Sequence, residues 1–479
     1  MHWVLWVLLT ALFTLSLLIL ARTLAFRPRK QEEVAPCSLD TDTEAAHAAL
    51  RELVRCRTVS HENRELEDEA EFQRLIDLLP TLYPHVLATC SLREFEERGL
   101  LFRWEGKSHA HATVLMAHYD VVPADAEGWR KPPFDGVIED GVLWGRGTLD
   151  TKSTLNAIFF AADCLIRDGF VPEEDVYFAI SGSEEIRGAG ALNIASYFSK
   201  EGISVSLVLD EGGAVVEGAF PGVGRSTALI GIAEKGVLDV EYRVRTAGGH
   251  ASAPRPQTAI GQLAAAVTEV EEHPAKMQLT EPVRKMFDTL GRHASFPYRM
   301  LFANLFLFKP LLSRIAVRRG GEMNALLRTT VAFTRMHGSE ANNVLPSEAD
   351  IVSNIRLSPA DTADRTVARL RRVIDNPAVE IRPLQATNPS PVSRTDGKGW
   401  ETLRRAVRLT WPEAIVSPYL MLQCSDSRHF TALSDSVYRF SAMSLTAEER
   451  RTIHGRNERI RLEEIDRSVE FYLRLMKML

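Results

Sequence analysis

The amino-acid sequence predicts an α/β fold, in which a mostly parallel sheet carries helices on both faces and a smaller α+β lid domain is inserted. Short apolar runs at 112–117, 176–181 and 205–209 alternate with amphipathic helical stretches. This alternation is typical of a parallel sheet that is covered by helices on both sides. After residue 231 the pattern changes to alternating apolar and polar positions, as in half-buried antiparallel strands.

The N-terminal 25 residues are predicted to be a membrane anchor or a signal segment. Residues 3–20 are almost entirely apolar, which is long enough to span a bilayer and also resembles the core of a signal peptide. Basic residues follow this run, among them Arg22, Arg27 and Arg29. The protein is therefore expected at a membrane if the segment is retained, and secreted or periplasmic if the segment is cleaved.

The rest of the chain divides into four predicted parts. A polar tether at 26–44 leads into the first part of the catalytic domain at 45–231. The lid domain is expected at 232–356, and the second part of the catalytic domain at 357–479. A chain of 479 residues is too long for one ordinary hydrophobic core, which supports more than one domain.

The overall composition excludes several classes of function. The net charge is −6, and no strongly basic region is present, so nucleic acid is not expected as a partner. A small-molecule substrate is favoured instead. The five cysteines are scattered and odd in number, which argues against a disulfide framework and against a thiolate zinc site.

A stretch rich in Leu and Phe at 296–317 interrupts the predicted lid domain. Arg299, Lys309, Pro310 and Arg314 break this stretch, so it is a poor candidate for a bilayer span. Two interpretations stay open at this stage. The stretch forms either a pair of buried helices, or an acyl-chain groove or membrane-touching surface.

Five segments that lie far apart in the sequence carry metal-ligand side chains. Several of them directly follow a predicted strand, where open α/β sheets place their sites. Together they offer two imidazoles and several carboxylates, which predicts two hydrolytic divalent cations, zinc above all, with cobalt or manganese able to use the same ligands. The candidates are His118 with Asp120, Asp150, the pair Glu184 and Glu185, Asp210, and His454.

Some of these residues allow more than one interpretation. Glu184 and Glu185 are adjacent, so one can face a metal while the other serves as a general base. Asp150 precedes a predicted helix and is a helix cap, a carboxylate that bridges two cations, or both. In the lid domain, Arg356 either clamps a substrate carboxylate or forms a structural salt bridge.

Four stretches, in this order, resemble a known family. The chain resembles the di-zinc aminoacylase/carboxypeptidase metallopeptidase family, and within it the carboxypeptidase S and N-fatty-acyl-amino-acid synthase/hydrolase branch. The resemblance runs from about residue 45 to the end of the chain. The stretches are MAHYDVVP at 116–123, GRGTLD at 145–150, VLDEGG at 208–213 and IHGRNE at 453–458.

The resemblance implies a ligand set for each metal. His118, Asp150 and Asp210 would hold one zinc ion. Asp150, Glu185 and His454 would hold the other, so that Asp150 is shared. A homodimer formed through the lid domain is also implied.

The resemblance further implies the catalytic and substrate-binding residues. Glu184 would be the general base and acid, and Asp120 would orient the first histidine ligand. His250 would polarise the scissile carbonyl, in many relatives from the partner subunit. The implied substrate-binding residues are Asn343, Arg356 and Arg428.

The predicted reaction is hydrolysis of an amide or peptide bond next to a free carboxylate. N-acyl amino acids with a fatty chain are the expected substrates, and small peptides, cleaved by a carboxypeptidase or dipeptidase, are the alternative. A catalytically inactive, membrane-anchored binding protein is the alternative from another class. Such a protein would be expected to lack a ligand or the base, whereas every candidate is present in this chain.

Overall fold

The structure is a computed structural model that describes residues 2–29, 43–218 and 220–479. Most of the predicted tether at 26–44 therefore lies outside the described residues. The helices are α1 His2–Ala25, α2 Glu44–Arg55, α3 Glu69–Leu82, α4 Pro84–Thr89, α5 Lys152–Arg167, α6 Gly190–Glu201, α7 Ala259–Glu272, α8 Glu281–His293, α9 Phe296–Ala303, α10 Leu305–Arg319, α11 Gly321–Leu327, α12 Ala363–Ile374, α13 Lys398–Thr410, α14 Ala447–Arg450 and α15 Leu462–Met476.

The strands belong to one large sheet and three smaller ones. They are β1 Ser91–Phe95, β2 Gly99–Trp104, β3 Ser108–His118, β4 Val137–Glu139, β5 Val142–Trp144, β6 Glu174–Ser181, β7 Val205–Val216, β8 Thr227–Glu234, β9 Gly236–Arg245, β10 Gly249–His250, β11 Thr330–His337, β12 Val344–Leu345, β13 Glu348–Leu357, β14 Glu380–Thr387, β15 Ile415–Met421, β16 Val437–Leu445 and β17 Arg459–Arg461. Two short 3₁₀ helices span Arg64–Leu66 and Asp426–Phe430.

The large sheet confirms the predicted fold class. Its eight strands run in the order β1-β2-β6-β3-β7-β16-β8-β15. The central strands β6, β3 and β7 are parallel, and His118 at the end of β3 pairs with Ser181 at the end of β6. Because parallel strands end at the same edge of a sheet, the residues that follow β3 and β6 lie close together.

Helices cover both faces of this sheet, and the alternation of side chains along each strand explains why. On β6, Phe178 packs against Phe159 of α5 with ring centroids 5.4 Å apart. Its neighbour Tyr177 points to the other face and packs against Phe198 of α6 at 4.9 Å. Successive strand residues point to opposite faces, so a strand buried on both sides is a continuous apolar run, as in these strands.

The lid domain contains a second sheet, which is antiparallel and has the order β11-β13-β9-β14. Its apolar face is covered by α7 and α12, through residues such as Leu263 and Leu370. The predicted boundary at residue 356 is therefore too early. Since β14 pairs with β9 along Glu380–Thr387, the lid continues to residue 387 before the chain returns to the catalytic domain.

The segment between α7 and β11 belongs to the core of the catalytic domain rather than to that of the lid. Met286, Phe287 and Leu290 of α8 pack into the same apolar core as the large sheet, together with Phe302 of α9 and Leu312 of α10. The Leu- and Phe-rich stretch at 296–317 thus forms two helices, with only part of their surface buried.

Candidate functional site

Six side chains from separate parts of the catalytic domain meet at the carboxyl ends of the central strands. His118 ends β3, Glu184 and Glu185 follow β6, and Glu211 lies on β7. Asp150 precedes α5, and His454 lies in the loop after α14. We call these six residues the carboxylate–imidazole cluster.

Asp150 lies between the two histidines of the cluster. Its Oδ1 is 2.9 Å from Nε2 of His118, and its Oδ2 is 3.0 Å from Nε2 of His454. Glu185 Oε2 is 3.1 Å from the same nitrogen of His454, and Glu211 Oε1 is 3.5 Å from that of His118. Five of the six residues therefore form two triads that share the Asp150 carboxylate, and Glu184 is the sixth.

Asp120 fixes the backbone of the turn that carries Glu184 and Glu185. This carboxylate is fully buried, and its two oxygens accept hydrogen bonds from the backbone N–H groups of Glu184 and Glu185, each at 3.1 Å. The Ser60 hydroxyl donates a third, at 2.8 Å. The Nδ1 of His118 is 2.9 Å from the backbone oxygen of Asp120, so a proton on Nδ1 leaves Nε2 free toward the cluster.

Glu458 is a positioning residue to which the sequence analysis gave no role. Its carboxylate is fully buried and accepts hydrogen bonds from the backbone N–H groups of Gly147, Leu149 and Asp150. Because Glu458 lies four residues after His454, it ties the loop of one triad to the loop of the other. Its place at the end of the IHGRNE stretch was the only sequence signal for it.

Asp210 was predicted to be a metal ligand, and the structure brings Glu211 to the cluster instead. Glu211 is among the groups that could hold a metal ion, whereas Asp210 Oδ2 accepts the backbone N–H of Ser427 at 2.8 Å. The physical reason is that β7 runs on to Val216, beyond the predicted strand end at residue 209. The pairing of β7 with β16 shifts register between Asp210 and Gly213, and at this irregularity the Glu211 carboxylate comes to 3.5 Å from Nε2 of His118.

The charges in the cluster are unbalanced in the absence of metal. Burial raises the pKa of Glu184 well above its ordinary value, and burial together with Asp150 raises the pKa of Glu211 to about 8. Burial alone would raise the pKa of Asp150 too, but His118 and His454 lower it. Hydrogen bonds to Asp150 and Glu185 raise the pKa of His454 to about 10. Protons thus compensate for carboxylate charge that divalent cations would neutralise.

The residues present fit a pair of divalent cations. Tetrahedral zinc with bonds of about 2.0–2.1 Å keeps its ligand atoms about 3.3 Å apart, close to the separations within each triad. Among the described residues, the second oxygen of Glu185, Oε1, is buried and has no hydrogen-bond partner. A buried carboxylate oxygen without a partner is costly in a native structure, and a metal ion would satisfy it.

Two arginines approach the cluster from the side of the segment 424–428. Arg428 Nη2 is 3.9 Å from Glu184 Oε1, and Arg428 Nε donates to the backbone oxygen of Ser425 at 2.8 Å. Arg356 reaches out of the lid strand β13 toward Cys424, with Nη1 3.7 Å from the sulfur. Among the described residues, no carboxylate lies within 4 Å of the Arg356 guanidinium.

The model of peptidase family M20/M25/M40 matches residues 114–478, which include every residue of the cluster. This chain belongs to that family. A relative from Dictyostelium discoideum, "Probable carboxypeptidase S-like 2", is 34% identical over 97% of this chain and 92% of its own length. The human N-fatty-acyl-amino acid synthase/hydrolase PM20D1 is 33% identical over 90% of this chain and 87% of its own length.

A solved structure has the same fold as this M20 family member. The M20 family metallo-carboxypeptidase Sso-CP2 from Sulfolobus solfataricus aligns with a TM-score of 0.67 and 18% identity, over 91% of this chain and 99% of the other. M20 metallopeptidases are typically dinuclear metal enzymes. The protein is therefore a metallopeptidase-type hydrolase of amide bonds, and an inactive binding protein is not favoured.

The lid positions two further predicted residues away from the cluster. His250 on β10 and Asn343 next to β12 lie together, because Gly249–His250 pairs with Val344–Leu345 and Ala251 N–H donates to the Asn343 backbone oxygen at 3.0 Å. We call this pair of strands the lid ribbon. His250 is exposed, and its ring nitrogen Nδ1 accepts the N–H of Ser252. Among the described residues, no contact joins the lid ribbon to the carboxylate–imidazole cluster.

Proposed function

We propose that this M20 family member hydrolyses N-acyl amino acids that carry a long acyl chain. The observation that carries the proposal is an apolar cavity of about 200 Å³ in the catalytic domain, whose wall contacts segments that adjoin the cluster. Apolar side chains supply most of its wall, and an acyl chain is the substrate group that such a wall would bind. Its lining includes Phe220, Leu229, Met286, Leu290, Met323 and Tyr419.

The cavity borders segments on both sides of the cluster. Leu229 lies directly against Gly213, where an added Cβ would come within 1.8 Å of the Leu229 backbone oxygen, and Gly213 follows Glu211 by two residues. At the other side, Glu322 lines the cavity and forms an ion pair with Arg450, four residues before His454. An amide held at the cluster would thus have an apolar space within reach of its acyl side.

The carboxylate of the amino acid would be bound by Arg356 and Arg428. Arg356 has no carboxylate partner among the described residues, which supports a substrate clamp over a structural salt bridge. Arginine pairs with a carboxylate through two parallel hydrogen bonds, which fixes the orientation of the substrate. Asn343 of the lid ribbon is proposed to contribute to the same pocket.

For the metals, we propose two zinc ions, the first held by His118, Asp150 and Glu211 and the second by Asp150, Glu185 and His454. When bound, such ions supply a water of lowered pKa and Lewis-acid polarisation of the carbonyl. Cobalt or manganese would use the same ligands.

The proton transfers are assigned to Glu184. Its carboxylate would take a proton from the attacking water and later deliver it to the leaving nitrogen, since its raised pKa suits both steps. Asp120 would keep Glu184 in place through the backbone of the Glu184–Glu185 turn. His250 would donate to the carbonyl oxygen, brought by a second copy of the chain that is docked through the lid domain, or by closure of the lid.

The N-terminal helix α1 is proposed to be retained as a membrane anchor. One stretch of 23 residues, Trp3–Ala25, has a mean hydropathy of 2.6, and its most apolar 18 residues are not buried within the molecule. At about 1.5 Å per residue it is long enough for the hydrocarbon core of a bilayer. If it were cleaved as a signal sequence, the enzyme would instead be released as a secreted or periplasmic protein.

The substrate proposal is tested with a series of N-acyl phenylalanines of increasing chain length, using the full chain in vesicles and a plain dipeptide for comparison. We expect kcat/KM to rise with chain length. Met323→Trp, which fills the cavity, should remove that rise while N-acetyl-phenylalanine is still hydrolysed. Flat or falling rates with longer chains would contradict the acyl-chain assignment and favour a dipeptidase or carboxypeptidase.

A further inference from the structure

The helices α9 and α10 form a bent pair with an uncovered apolar surface, which we call the apolar hairpin. The two axes meet at 111° around Asn304. The helices have 8 and 15 residues, about 12 Å and 22 Å long, and each is too short to cross a hydrocarbon core of about 30 Å. Its exposed apolar side chains include Phe296, Tyr298, Phe306, Leu307, Leu311 and Ile315.

The inner face of the apolar hairpin is fixed to the catalytic domain. The Phe302 ring lies 4.7 Å from that of Phe220 and 5.1 Å from that of Phe287, and Leu312 and Ala316 are buried in the same core. The outer face has no such cover, with Phe306 59% and Leu311 48% exposed. A contiguous apolar surface that a soluble domain leaves exposed marks an interaction site.

The apolar hairpin is joined to the end of α1 by hydrogen bonds. The Arg22 guanidinium donates to the backbone oxygen of Ala303 at 3.0 Å, and the Asn304 amide donates to the Thr23 hydroxyl at 3.2 Å. Thr23 and Asn304 are both fully buried in this contact. These contacts place the apolar hairpin at the C-terminal end of α1, where Leu20 and Leu24 are exposed.

The contact continues past the end of α1. Phe26 lies against Gly291 of α8, and the Arg292 guanidinium stacks 4.4 Å above the Phe26 ring. Arg29 then pairs with Asp288 at 3.0 Å. These contacts hold the catalytic domain directly against the C-terminal end of α1.

The charges on α10 indicate which partner covers this surface. Lys309, Arg314, Arg318 and Arg319 are exposed, and α10 contains no acidic residue. Long basic side chains beside an apolar face are typical of helices that lie in a membrane interface, where the charges reach the lipid headgroups. Anionic headgroups add further attraction to such a basic surface.

We infer that the apolar hairpin enters one leaflet of a lipid bilayer beside α1 and seats the catalytic domain on the membrane in one orientation. The inference is independent of the substrate and rests on the proposed retention of α1. It would place the acyl-chain cavity next to the membrane, because Phe287 of the hairpin contact is flanked on α8 by the cavity residues Met286 and Leu290.

The test uses the full chain in vesicles of phosphatidylcholine and phosphatidylglycerol, with Leu311→Cys labelled by an environment-sensitive fluorophore. A matched variant, Leu192→Cys, carries the label on α6 at a similarly exposed position (46%). The labelled wild type is the blank for the native cysteines, of which Cys56, Cys90 and Cys164 are buried. Far-ultraviolet circular dichroism and a single cooperative thermal transition check that each variant is folded, and Ile315→Cys replaces Leu311→Cys if that variant does not fold.

We expect the label at 311 to be blue-shifted and quenched several-fold more by lipids with brominated acyl chains than the label at 192. A blue-shifted label that brominated lipids leave unquenched would overturn the inference and indicate a protein surface, such as a second copy. Equal quenching at both positions would also overturn it. Flotation of the protein with the vesicles tests the anchoring by α1 separately. If the protein does not float, the inference fails, but the substrate proposal is unaffected.

Discussion

The carboxylate–imidazole cluster and the lid ribbon differ in one respect. A single copy of the chain brings the side chains of the cluster together, but it does not bring His250 of the lid ribbon to them. In the cluster, the ligand atoms already lie about 3 Å apart, held by Asp120 and Glu458. The lid ribbon carries His250 on an exposed strand, with no contact to the cluster among the described residues. We therefore expect that one chain suffices for the proposed metal binding and proton transfer, while the role proposed for His250 needs lid closure or a second copy.

The largest expected effect is the loss of activity when Glu184, the proposed general base of the cluster, is replaced. Glu184→Gln keeps the shape of the side chain and removes its ability to take a proton, so kcat should fall by about 10²- to 10⁴-fold. The metal content should stay unchanged, since both proposed triads are complete without Glu184, although Glu184 lies close enough to His118 and Glu211 to share a metal ion. Steady-state kinetics and elemental analysis check both points. A variant with nearly full activity would remove Glu184 from the mechanism.

The next largest effect concerns the lid ribbon. His250→Ala should lower kcat by about 10²- to 10³-fold, the usual result of losing one donor to a developing oxyanion, with little change in metal content. Mixing His250→Ala with Glu184→Gln tests where the histidine acts. If it acts across subunits, mixed dimers regain activity, because one active site then receives an intact base and an intact histidine. Activity that never recovers would favour closure of the lid within one chain.

A smaller effect is expected at Asp120, which supports the cluster without belonging to it. Both carboxylate oxygens of Asp120 accept hydrogen bonds, from the backbone N–H groups of Glu184 and Glu185 and from the Ser60 hydroxyl. In Asp120→Asn one of these oxygens is replaced by an NH₂ group, which cannot accept a hydrogen bond. Loss of such a supporting partner typically costs about 10- to 100-fold in metal affinity or activity. Metal titration of the apoprotein measures the affinity. An unchanged affinity and rate would show that the turn is held by other contacts.

The smallest expected effect is the number of protons that the protein releases when it binds metal. In the metal-free protein the pKa of Glu211 is raised to about 8 by burial and by Asp150, and that of His454 to about 10 by its hydrogen bonds to Asp150 and Glu185. Both groups are therefore protonated at pH 7 and must lose their protons to bind metal. Calorimetric titration in buffers of different ionisation enthalpy should show proton release that falls as the pH rises from 7 to 10. Release that is absent at pH 7 would contradict this charge state.

The fold class, and the meeting of most candidate site residues at one edge of the sheet, could be predicted because they depend on local patterns. The continuous apolar runs of β3, β6 and β7 indicated a parallel sheet, and His118 and Glu184 were found because they follow strand ends. The choice between Asp210 and Glu211 depends on where β7 ends, and the sequence around two adjacent carboxylates does not decide it. The lid boundary was placed too early because α12 and β14 continue the helix–strand pattern of the catalytic domain, and only the pairing of β14 with β9 assigns them to the lid.

The most direct test of the account is the number of metal ions bound by two neighbouring variants, Glu211→Gln and Asp210→Asn. We expect Glu211→Gln to retain one tightly bound metal per chain, because the triad of His118 and Asp150 loses its third ligand. Asp210→Asn should retain two, because its carboxylate accepts backbone N–H groups. Two metals in Glu211→Gln and one in Asp210→Asn would contradict the assignment of Glu211 to the first triad and restore Asp210 as the ligand.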